Sequence, residues 1–539
     1  MGNCLQPSST VKRVKRELTD ADNDLASAQI LRPSVVDRRS HPVTVHQVLS
    51  VIDHRQADPP RNVFDFYEKL DAIGEGATCT IHSVRRIQGE DVGRIYALKT
   101  ISKHREVGEA DDRYLRIRLH EVQLLRQLDH PNIVRVYELF EDDDAVYIIM
   151  EHCSGGTLAS RAPYTEREAA KIMTKLLSAV AYCHQRGILH RDLKMDNAMF
   201  ECESKESDVK LIDFGLGVSE EDRQGAYYSE VVGTVYTMSP QIIHEKYRNP
   251  DPWACGVIAH MLLVNEPPFD GPTRREIAQK IIRNDWDDKF EGKKWKDISS
   301  SAKRFVSALL TYDEDKRRSA SDALRTQWLM KMDPPEERRP PEPFMRGVMK
   351  ALAEHARAPI LKKLALYFIA FHTPGEEVME LERAFDQFCG GYNIGTINTW
   401  EFRKEASKYL GRDDDGNQQI AKLFRSLATR GKIGFTTFIA ACLESQGPIR
   451  EDRIRAAFNL FDETESGFID RNNLRSTLGV RCRYRSSYLD YDAVIREAIE
   501  TVGGDNNYSG AAESDEQSSS AKSTVSLEQF MRLFVQVSS

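Results

Sequence analysis

The sequence predicts a multidomain chain in which an α+β domain is followed by an all-α domain. From about Phe66 to Met332, apolar runs typical of buried strands, such as VYIIMEH, give way to helical repeats such as REAAKIMTKLLSAVAYCHQRG. A charged, proline-rich break, DPPEERRPPEPF, ends this region. The pattern beyond it is helical, with four helix–loop–helix units centred near residues 395, 431, 467 and 510.

The chain divides where its composition changes. Residues 1–60 are polar, charged and interrupted by prolines, so we expect them to be disordered. The α+β domain covers residues 66–332, and residues 333–375 form a linker and a basic amphipathic helix, roughly Phe344 to His372. Residues 376–539 hold the four helical units, with loops near residues 390–401, 426–437, 462–473 and 503–529.

The composition excludes several functional classes. The 539 residues are 40% hydrophobic and 29% charged, as in ordinary soluble domains, and the formal charge of −8 argues against nucleic acid as a partner. Nine scattered cysteines form no CxxC pair, which indicates a reducing compartment rather than a disulfide framework or a zinc site. The most apolar run, LALYFIAF, is far too short to span a bilayer. We expect a cytoplasmic monomer.

A glycine-rich motif and two charged residues after it indicate nucleotide binding. In IGEGATCTI, from Ile73 to Ile81, glycines let backbone amides approach phosphates without hindrance from a Cβ atom. The following motif YALK places Lys99 on a strand, where its ammonium can hold phosphates. Glu121 lies on an apolar-faced helix and can pair with that lysine. A turn that merely contains two glycines is the alternative for the first motif alone.

Two further motifs supply the chemistry of phosphoryl transfer. HRDLKMDN provides Asp192 as a base, Lys194 for the transferred phosphate and Asn197 for a metal ion. DFG provides Asp213 as the second magnesium ligand. Each motif could occur by chance, but five of them in this order and spacing indicate one active site.

Over roughly residues 67–330 the chain resembles the eukaryotic protein kinase superfamily. The resemblance implies a two-lobed fold with ATP and Mg²⁺ between the lobes, and Lys194 with GTVYTMSPQ is similar to the branch that phosphorylates Ser and Thr of proteins. It implies Met150 as gatekeeper, with Glu151 and Cys153 as hinge contacts to adenine. The ATP-binding residues it implies are Ile73, Gly74, Glu75, Gly76, Ala77, Thr78, Cys79, Ile81, Ala97, Lys99, Glu121, Met150, Glu151 and Cys153.

The chain departs from the kinase pattern at three places. Cys79 replaces the third glycine of the phosphate loop, and Thr157 replaces a glutamate that favours basic substrates, although Asp196 remains as a second such acid. Ser-Pro-Gln ending at Gln241 replaces Ala-Pro-Glu, so the buried ion pair to Arg317 is expected to become a neutral hydrogen bond, which is a weaker brace. None of these changes touches phosphoryl transfer. A catalytically silent scaffold is the alternative.

The activation loop carries three candidate regulatory residues, Arg191, Glu230 and Thr234. Arg191 precedes the catalytic Asp192 and in such a fold meets a phosphate on this loop. Glu230, three residues before Gly233, stands where that phosphate is usually attached, so a fixed carboxylate could neutralise Arg191 without phosphorylation. The alternative is a solvated surface glutamate.

The region after the kinase-like domain resembles the tail of the calcium-dependent protein kinases. In that family a junction helix blocks the kinase, and a calmodulin-like domain of four EF-hands removes the block. The segment ILKKLALYFIA resembles the junction, and a basic amphipathic helix is a suitable target for the EF-hand domain. The alternative is a helix that merely packs on the large lobe.

Two of the four loops lack calcium ligands. Calcium needs oxygen ligands at positions 1, 3, 5, 7, 9 and 12 of an EF-hand loop. The first loop has Gly390, Tyr392 and Ile394 where acids should stand, and the second places Arg430 in its site, so we expect neither to bind calcium.

The third and fourth loops keep part of the pattern. The third has Asn473 at position 12 in place of the bidentate glutamate, so its affinity should be on the order of 10⁻⁴ M or poorer. Its remaining candidate ligands are Asp462, Thr464, Ser466, the Phe468 carbonyl and Asp470. The fourth, DNNYSGAAESDE, fits the written pattern, but Ala512 stands where a β-branched residue should pair with the partner loop. We place its second helix near VSLEQFMRLF.

The first residues form a possible membrane anchor. Gly2 could accept a myristoyl chain and Cys4 a palmitoyl chain, and nearby basic residues would contact acidic lipid. An ordinary disordered basic segment is the alternative. Three hypotheses thus remain for the whole chain: an active kinase whose tail responds weakly or not at all to calcium, a calcium-switched kinase, and a silent scaffold.

Overall fold

The computed structural model describes thirteen segments of the chain: residues 52–56, 61–75, 79–89, 91–103, 120–220, 233–244, 249–286, 290–391, 394–411, 413–462, 464–480, 491–502 and 524–535. Within these segments no helix is long and apolar enough to cross a membrane.

The first part of the fold is a six-stranded sheet with the strand order β1-β5-β6-β4-β3-β2. Strand β1 is parallel to β5, and the other pairs are antiparallel. Residues 120–125 form a helical segment beside the sheet. The elements are β1 Ile52–Asp53, the short helix α1 Val63–Phe66, β2 Tyr67–Glu75, β3 Cys79–Arg86, β4 Ile95–Ser102, β5 Val136–Glu141 and β6 Ala145–Met150.

Strand β1 and the turn after it lie within residues 1–60, where the sequence predicts disorder. The five described residues are ordered because His54 is held by tertiary contacts. Its Nε2 atom lies 3.0 Å from a carboxylate oxygen of Glu138, and its ring stacks on Phe140 at 4.2 Å. Such contacts join positions far apart in the chain and leave no local periodic signal.

The second lobe is mainly helical and has a small hairpin formed by β7 (Ala198–Phe200) and β8 (Val209–Leu211). Its helices are α2 Glu166–Gln185, α3 Pro240–Ile243, α4 Asp251–Val264, α5 Arg274–Arg283, α6 Ser300–Leu309, α7 Ala320–Ala323 and α8 Gln327–Met332. Helix α2 begins with a capping box formed by Thr165 and Glu168. It ends before Gly187, whose φ of +70° fits the helix stop that the sequence predicts.

The basic amphipathic segment forms two helices, α9 (Glu342–Arg357) and α10 (Ile360–His372). The single helix from Phe344 to His372 that the sequence analysis expects is therefore wrong. Pro359 explains the break, because proline disfavours helical backbone at the residue before it and lacks an N–H group. Nine residues of α10 are buried, and eight of them belong to the core of the C-terminal domain.

The C-terminal domain contains helix–strand–helix units whose strands join in pairs. Strand β9 pairs with β10, and β11 pairs with β12, where Ile469 faces Val525. The second helix of the last unit begins at Leu527, in agreement with the expectation from VSLEQFMRLF. The elements are α11 Gly375–Phe388, β9 Thr396–Asn398, α12 Thr399–Leu410, α13 Asp414–Leu427, β10 Lys432–Gly434, α14 Phe435–Cys442, α15 Glu451–Phe461, β11 Phe468–Ile469, α16 Arg471–Arg475, α17 Tyr491–Thr501, β12 Val525–Ser526 and α18 Leu527–Arg532.

Candidate active site

An ion pair links strand β4 to the helical segment 120–125. The Lys99 ammonium donates to both carboxylate oxygens of Glu121, at 2.7 and 2.6 Å, and lies 3.9 Å from Asp213. Burial lowers the pKa of Lys99, but the two carboxylates outweigh this effect, and the net pKa is raised. The lysine therefore stays charged at the edge of the cleft.

The Asp192 carboxylate is held from several sides. One oxygen accepts hydrogen bonds from the Thr234 backbone N–H (3.1 Å) and hydroxyl (3.0 Å). The other accepts from Lys194 at 2.8 Å and from the Asn197 amide at 3.1 Å. Asp192 is 9% exposed, so these contacts fix a nearly buried carboxylate that still reaches the cleft.

Asp213 and Asn197 offer oxygen atoms of the kind that magnesium prefers. One oxygen of Asp213 accepts from the Gly215 N–H at 3.0 Å, and the side chain is 43% exposed. Burial raises the Asp213 pKa, but Lys99 outweighs it, so the pKa is lowered and the group is an anion. The Asn197 amide nitrogen is directed to Asp192, which leaves its oxygen as the ligand atom. The residues therefore fit Mg²⁺ with a bound nucleotide.

The structure also positions the residues expected to contact the nucleotide. Met150, Glu151 and Cys153 are buried at the junction of the two lobes, and Met150 faces Ala97 across the sheet. In the phosphate loop, Gly74 pairs with Ile81, and Glu75 and Ile73 are exposed. Cys79 begins β3 and is partly buried. Gly76, Ala77 and Thr78 lie outside the described residues.

Two sets of hydrogen bonds brace the candidate catalytic and activation segments. Asp251 accepts from the backbone N–H groups of His190 and Arg191, each at 2.9 Å. Arg317 donates to the side-chain oxygen of Gln241 at 2.8 Å, the neutral hydrogen bond expected from the sequence. Burial lowers the pKa of Arg317 to about 10, an effect that nearby acids offset only in part.

The candidate regulatory residues are only partly described. Arg191 has a left-handed backbone with φ of +69°, next to Asp192. Thr234 contacts that aspartate directly. Glu230 lies outside the described residues, as do Gly2 and Cys4.

The third EF-hand loop is closed by hydrogen bonds from its own residues. The Asp462 carboxylate is 5% exposed and accepts from the backbone N–H groups of Ser466 (3.0 Å) and Gly467 (2.6 Å). It also accepts from the hydroxyls of Ser466 (2.9 Å) and Thr464 (3.2 Å). The Ser466 hydroxyl also donates to the Phe468 carbonyl at 3.0 Å.

The last two candidate positions of this loop bind each other. Asp470 accepts from the Asn473 N–H at 2.8 Å, and the Asn473 side chain accepts from the Asp470 N–H at 2.9 Å. This capping box uses both side chains to begin α16. Within the described residues no cluster of three or more His, Cys, Asp or Glu side chains could hold a metal ion.

The first two EF-hand loops lie against the kinase-like domain. Gly395 has φ of +70°, and a Cβ atom at this position would collide with the rings of Tyr182 and His130. At the start of α14, Thr436 donates to the Asp129 carboxylate from its backbone N–H (3.0 Å) and its hydroxyl (2.5 Å). Asp129 thus caps a helix of the other domain, at the positive end of the helix dipole.

The sequence analysis missed the residues that bind the tail. Asp129, Arg94 and Arg135 all contact tail residues more than 230 positions away. The one local signal is in the apolar run IVRVYELF, where Arg135 and Glu138 interrupt a strand that is otherwise suited to full burial.

This fold and site, with a lysine–glutamate pair, a fixed aspartate and two magnesium-type ligands in one cleft, define a protein kinase. The protein kinase domain family model matches residues 67–329. Calcium-dependent protein kinase 7 of Arabidopsis thaliana is 34% identical over 419 residues, which cover 76% of this chain and 76% of that protein. Calcium-dependent protein kinase 2 of Zea mays is 31% identical over 459 residues, 84% of this chain and 85% of that protein.

The chain belongs to the calcium-dependent protein kinases, and it is a serine/threonine protein kinase. The predicted fold class is confirmed: a two-lobed kinase followed by an all-α EF-hand domain.

Proposed function

We propose that Asp192, Lys194, Asn197 and Asp213, together with Lys99, carry out the phosphoryl transfer. The observation that carries this proposal is the complete set of contacts around Asp192 and Lys99 in one cleft. When bound, ATP would supply the transferred phosphoryl group, and Mg²⁺ would neutralise much of the negative charge on the phosphates.

Each residue has a separate role in the proposed mechanism. Asp192 accepts the proton of the substrate hydroxyl, and Thr234 and Lys194 hold its carboxylate in place. Lys99 holds the phosphates, and Glu121 keeps its ammonium in position. Such pre-positioned charges are the largest contribution to catalysis of phosphoryl transfer.

Transfer of radiolabelled phosphate to a generic protein substrate tests this assignment. Asp192→Asn should abolish transfer while keeping the fold, because the side chain keeps its size and loses its charge. Asp143→Asn, an exposed aspartate in the turn between β5 and β6, is the matched control and should behave as wild type. Activity in Asp192→Asn would refute the catalytic assignment, and no transfer by the wild-type chain would favour the silent scaffold.

We also propose that the tail docks on the kinase without calcium and that its calcium response is weak or lost. The first two loops contact His130, Tyr182 and Asp129 through groups that are not calcium ligands. The third loop is closed by its own hydrogen bonds and offers no bidentate carboxylate. The docked tail therefore needs no cation to hold its form.

Kinase assays of the full chain with calcium and with a chelator test this second proposal. Activity that is unchanged by chelator supports it. Activity that disappears with chelator and returns with micromolar calcium would refute it. Such a result would show that the third loop still works as a sensor, or the fourth loop, of which residues 503–523 lie outside the described part of the chain.

A further inference from the structure

Arg135 is a buried arginine that directly precedes β5 and binds the end of helix α10. It is 7% exposed, and its guanidinium donates to the carbonyl oxygens of Phe371 (3.1 Å) and Thr373 (3.2 Å). These carbonyls lie at the C-terminal end of the helix, where backbone oxygens lack intrahelical partners and carry partial negative charge. The Arg135 side chain therefore binds the end of α10 directly.

The backbone of the same residue pairs with the hinge between the lobes. The Glu151 N–H donates to the Arg135 carbonyl at 2.9 Å, and the Arg135 N–H donates to the Glu151 carboxylate at 3.2 Å. Arg135 thus contacts both the main chain and the side chain of the hinge residue that follows Met150. A shift of Arg135 would break or strain these two hydrogen bonds to Glu151.

The second carboxylate oxygen of Glu151 binds another buried residue, Lys210. This oxygen lies 2.7 Å from the Lys210 ammonium, and Lys210 is 1% exposed. Burial raises the Glu151 pKa, but Lys210 and Arg135 outweigh it, so the pKa is lowered and the carboxylate is charged. Lys210 also lies 3.9 Å from Glu201, whose carboxylate packs against Gly375 at the start of α11. The tail therefore meets the hinge network at two points.

We infer that Arg135 is a positioning residue for ATP binding, which couples the docked tail to the hinge through Glu151. This inference rests on the proposed nucleotide site, in which the hinge contacts adenine. When the two carbonyls of the tail hold the guanidinium, the backbone of Arg135 fixes the hinge in the form that accepts the nucleotide. Without them the buried cation must find other partners, and the hinge moves with it.

A matched pair of arginines separates this role from simple docking. Arg94 also donates to a tail carbonyl, that of His372 at 2.6 Å, but it lies before β4 and pairs with Asp91 instead of the hinge. Arg135→Met and Arg94→Met each remove one guanidinium that binds the end of α10. Only the first should disturb the hinge, because Arg94→Met leaves the bonds from Arg135 to the Phe371 and Thr373 carbonyls in place.

The experiment measures KM for ATP and kcat of the full chain for wild type and both variants, with folding checked by circular dichroism. For Arg135→Met we expect KM for ATP to rise about fivefold, at the lower end of typical coupling between sites, with kcat within about twofold. Arg94→Met should leave KM unchanged. Arg135→Lys, which keeps the buried cation, should have an intermediate KM and decides the matter if the methionine variant does not fold.

Three results would overturn the inference: an unchanged KM in the folded Arg135 variants, an equal rise in Arg94→Met, or a loss of kcat without a change in KM. A wild-type chain without saturable dependence on ATP would instead refute the proposed active site, and the coupling with it. The two failures are therefore distinguishable.

Discussion

The neutral brace between Gln241 and Arg317 leads to a prediction about stability. Gln241→Glu replaces an amide by a carboxylate of nearly the same shape. The Nη2 atom of Arg317 already donates to the Gln241 oxygen at 2.8 Å, and its Nη1 atom is buried without a hydrogen-bond partner among the described residues. A carboxylate could accept from both nitrogens, as bidentate arginine–carboxylate pairs do.

The size of the effect follows from the cost that burial imposes on Arg317. Its pKa is lowered from 12.5 to about 10. At 1.36 kcal/mol per pKa unit, this cost is about 3 kcal/mol, part of which an anionic partner would offset. The new carboxylate must itself be desolvated, and Gln241 loses its donation to the Tyr312 carbonyl at 2.7 Å. We therefore expect a net gain of about 1 kcal/mol, which corresponds to a rise in Tm of roughly 2–4 °C.

The dependence on pH has a defined sign. The pKa of Arg317 is lower in the folded than in the unfolded state. The burial of its charge therefore destabilises the fold fully below about pH 10, and thus also at neutral pH. The gain from the new carboxylate is present above the ordinary pKa of glutamate and is lost on acidification, when the carboxyl group takes up a proton.

Thermal unfolding at neutral and acidic pH measures both effects. Gln327→Glu is the matched control, because the exposed Gln327 contacts the exposed Arg304 at 3.4 Å and should gain less than about 1 kcal/mol. An unchanged or lower Tm in Gln241→Glu would refute the reasoning, and so would an equal gain in an Arg317→Met background.

Three further predictions concern single side chains. Asn473→Glu should raise the calcium affinity of the full chain at least about tenfold in calorimetric titration, because it restores the bidentate ligand; an unchanged heat signal would count against it. Burial raises the Glu138 pKa, but Arg86 and His54 outweigh it and hold the pKa below its ordinary value, so its stabilisation is present at neutral pH and lost on acidification. Glu138→Gln should lower the free energy of unfolding at neutral pH by about 3–5 kcal/mol, with a lower Tm, and should make Tm less dependent on pH in the acid range. A plot of Tm against pH that runs parallel to that of the wild type would contradict this. Glu230→Ala should lower kinase activity, and wild-type turnover would show that this glutamate does not neutralise the activation segment.

The proposed active-site residues could be grouped from the sequence because they occur in short motifs. Asp192, Lys194 and Asn197 lie within six positions, and their local backbone alone brings them together. The end of helix α2 could also be predicted, since Gly187 takes the left-handed conformation that stops a helix. Such signals are local, so one sequence suffices to find them.

The contacts of the tail could not be predicted in this way. Arg135 meets the Phe371 carbonyl, and Asp129 meets Thr436, across more than 230 residues, and a backbone carbonyl leaves no signal in the identity of its residue. Periodicity also favoured one helix through Pro359, although the restriction that proline places on the residue before it could have indicated the break.

The EF-hand domain can keep its fold without calcium because other interactions define the loops. Gly395 and Gly467 supply the positive φ angles of their loops. Strands β9 and β10 join the first two loops, and the paired residues Ile397 and Ile433 are fully buried. Calcium is then needed only for a conformational change of the EF-hands, and not for their fold. A loop packed against the kinase at Tyr182 would have to give up that contact in order to change form. If the calcium response is weak or lost, as we propose, the sparse ligands of the loops and their contacts with the kinase favour the same state, a tail that stays docked.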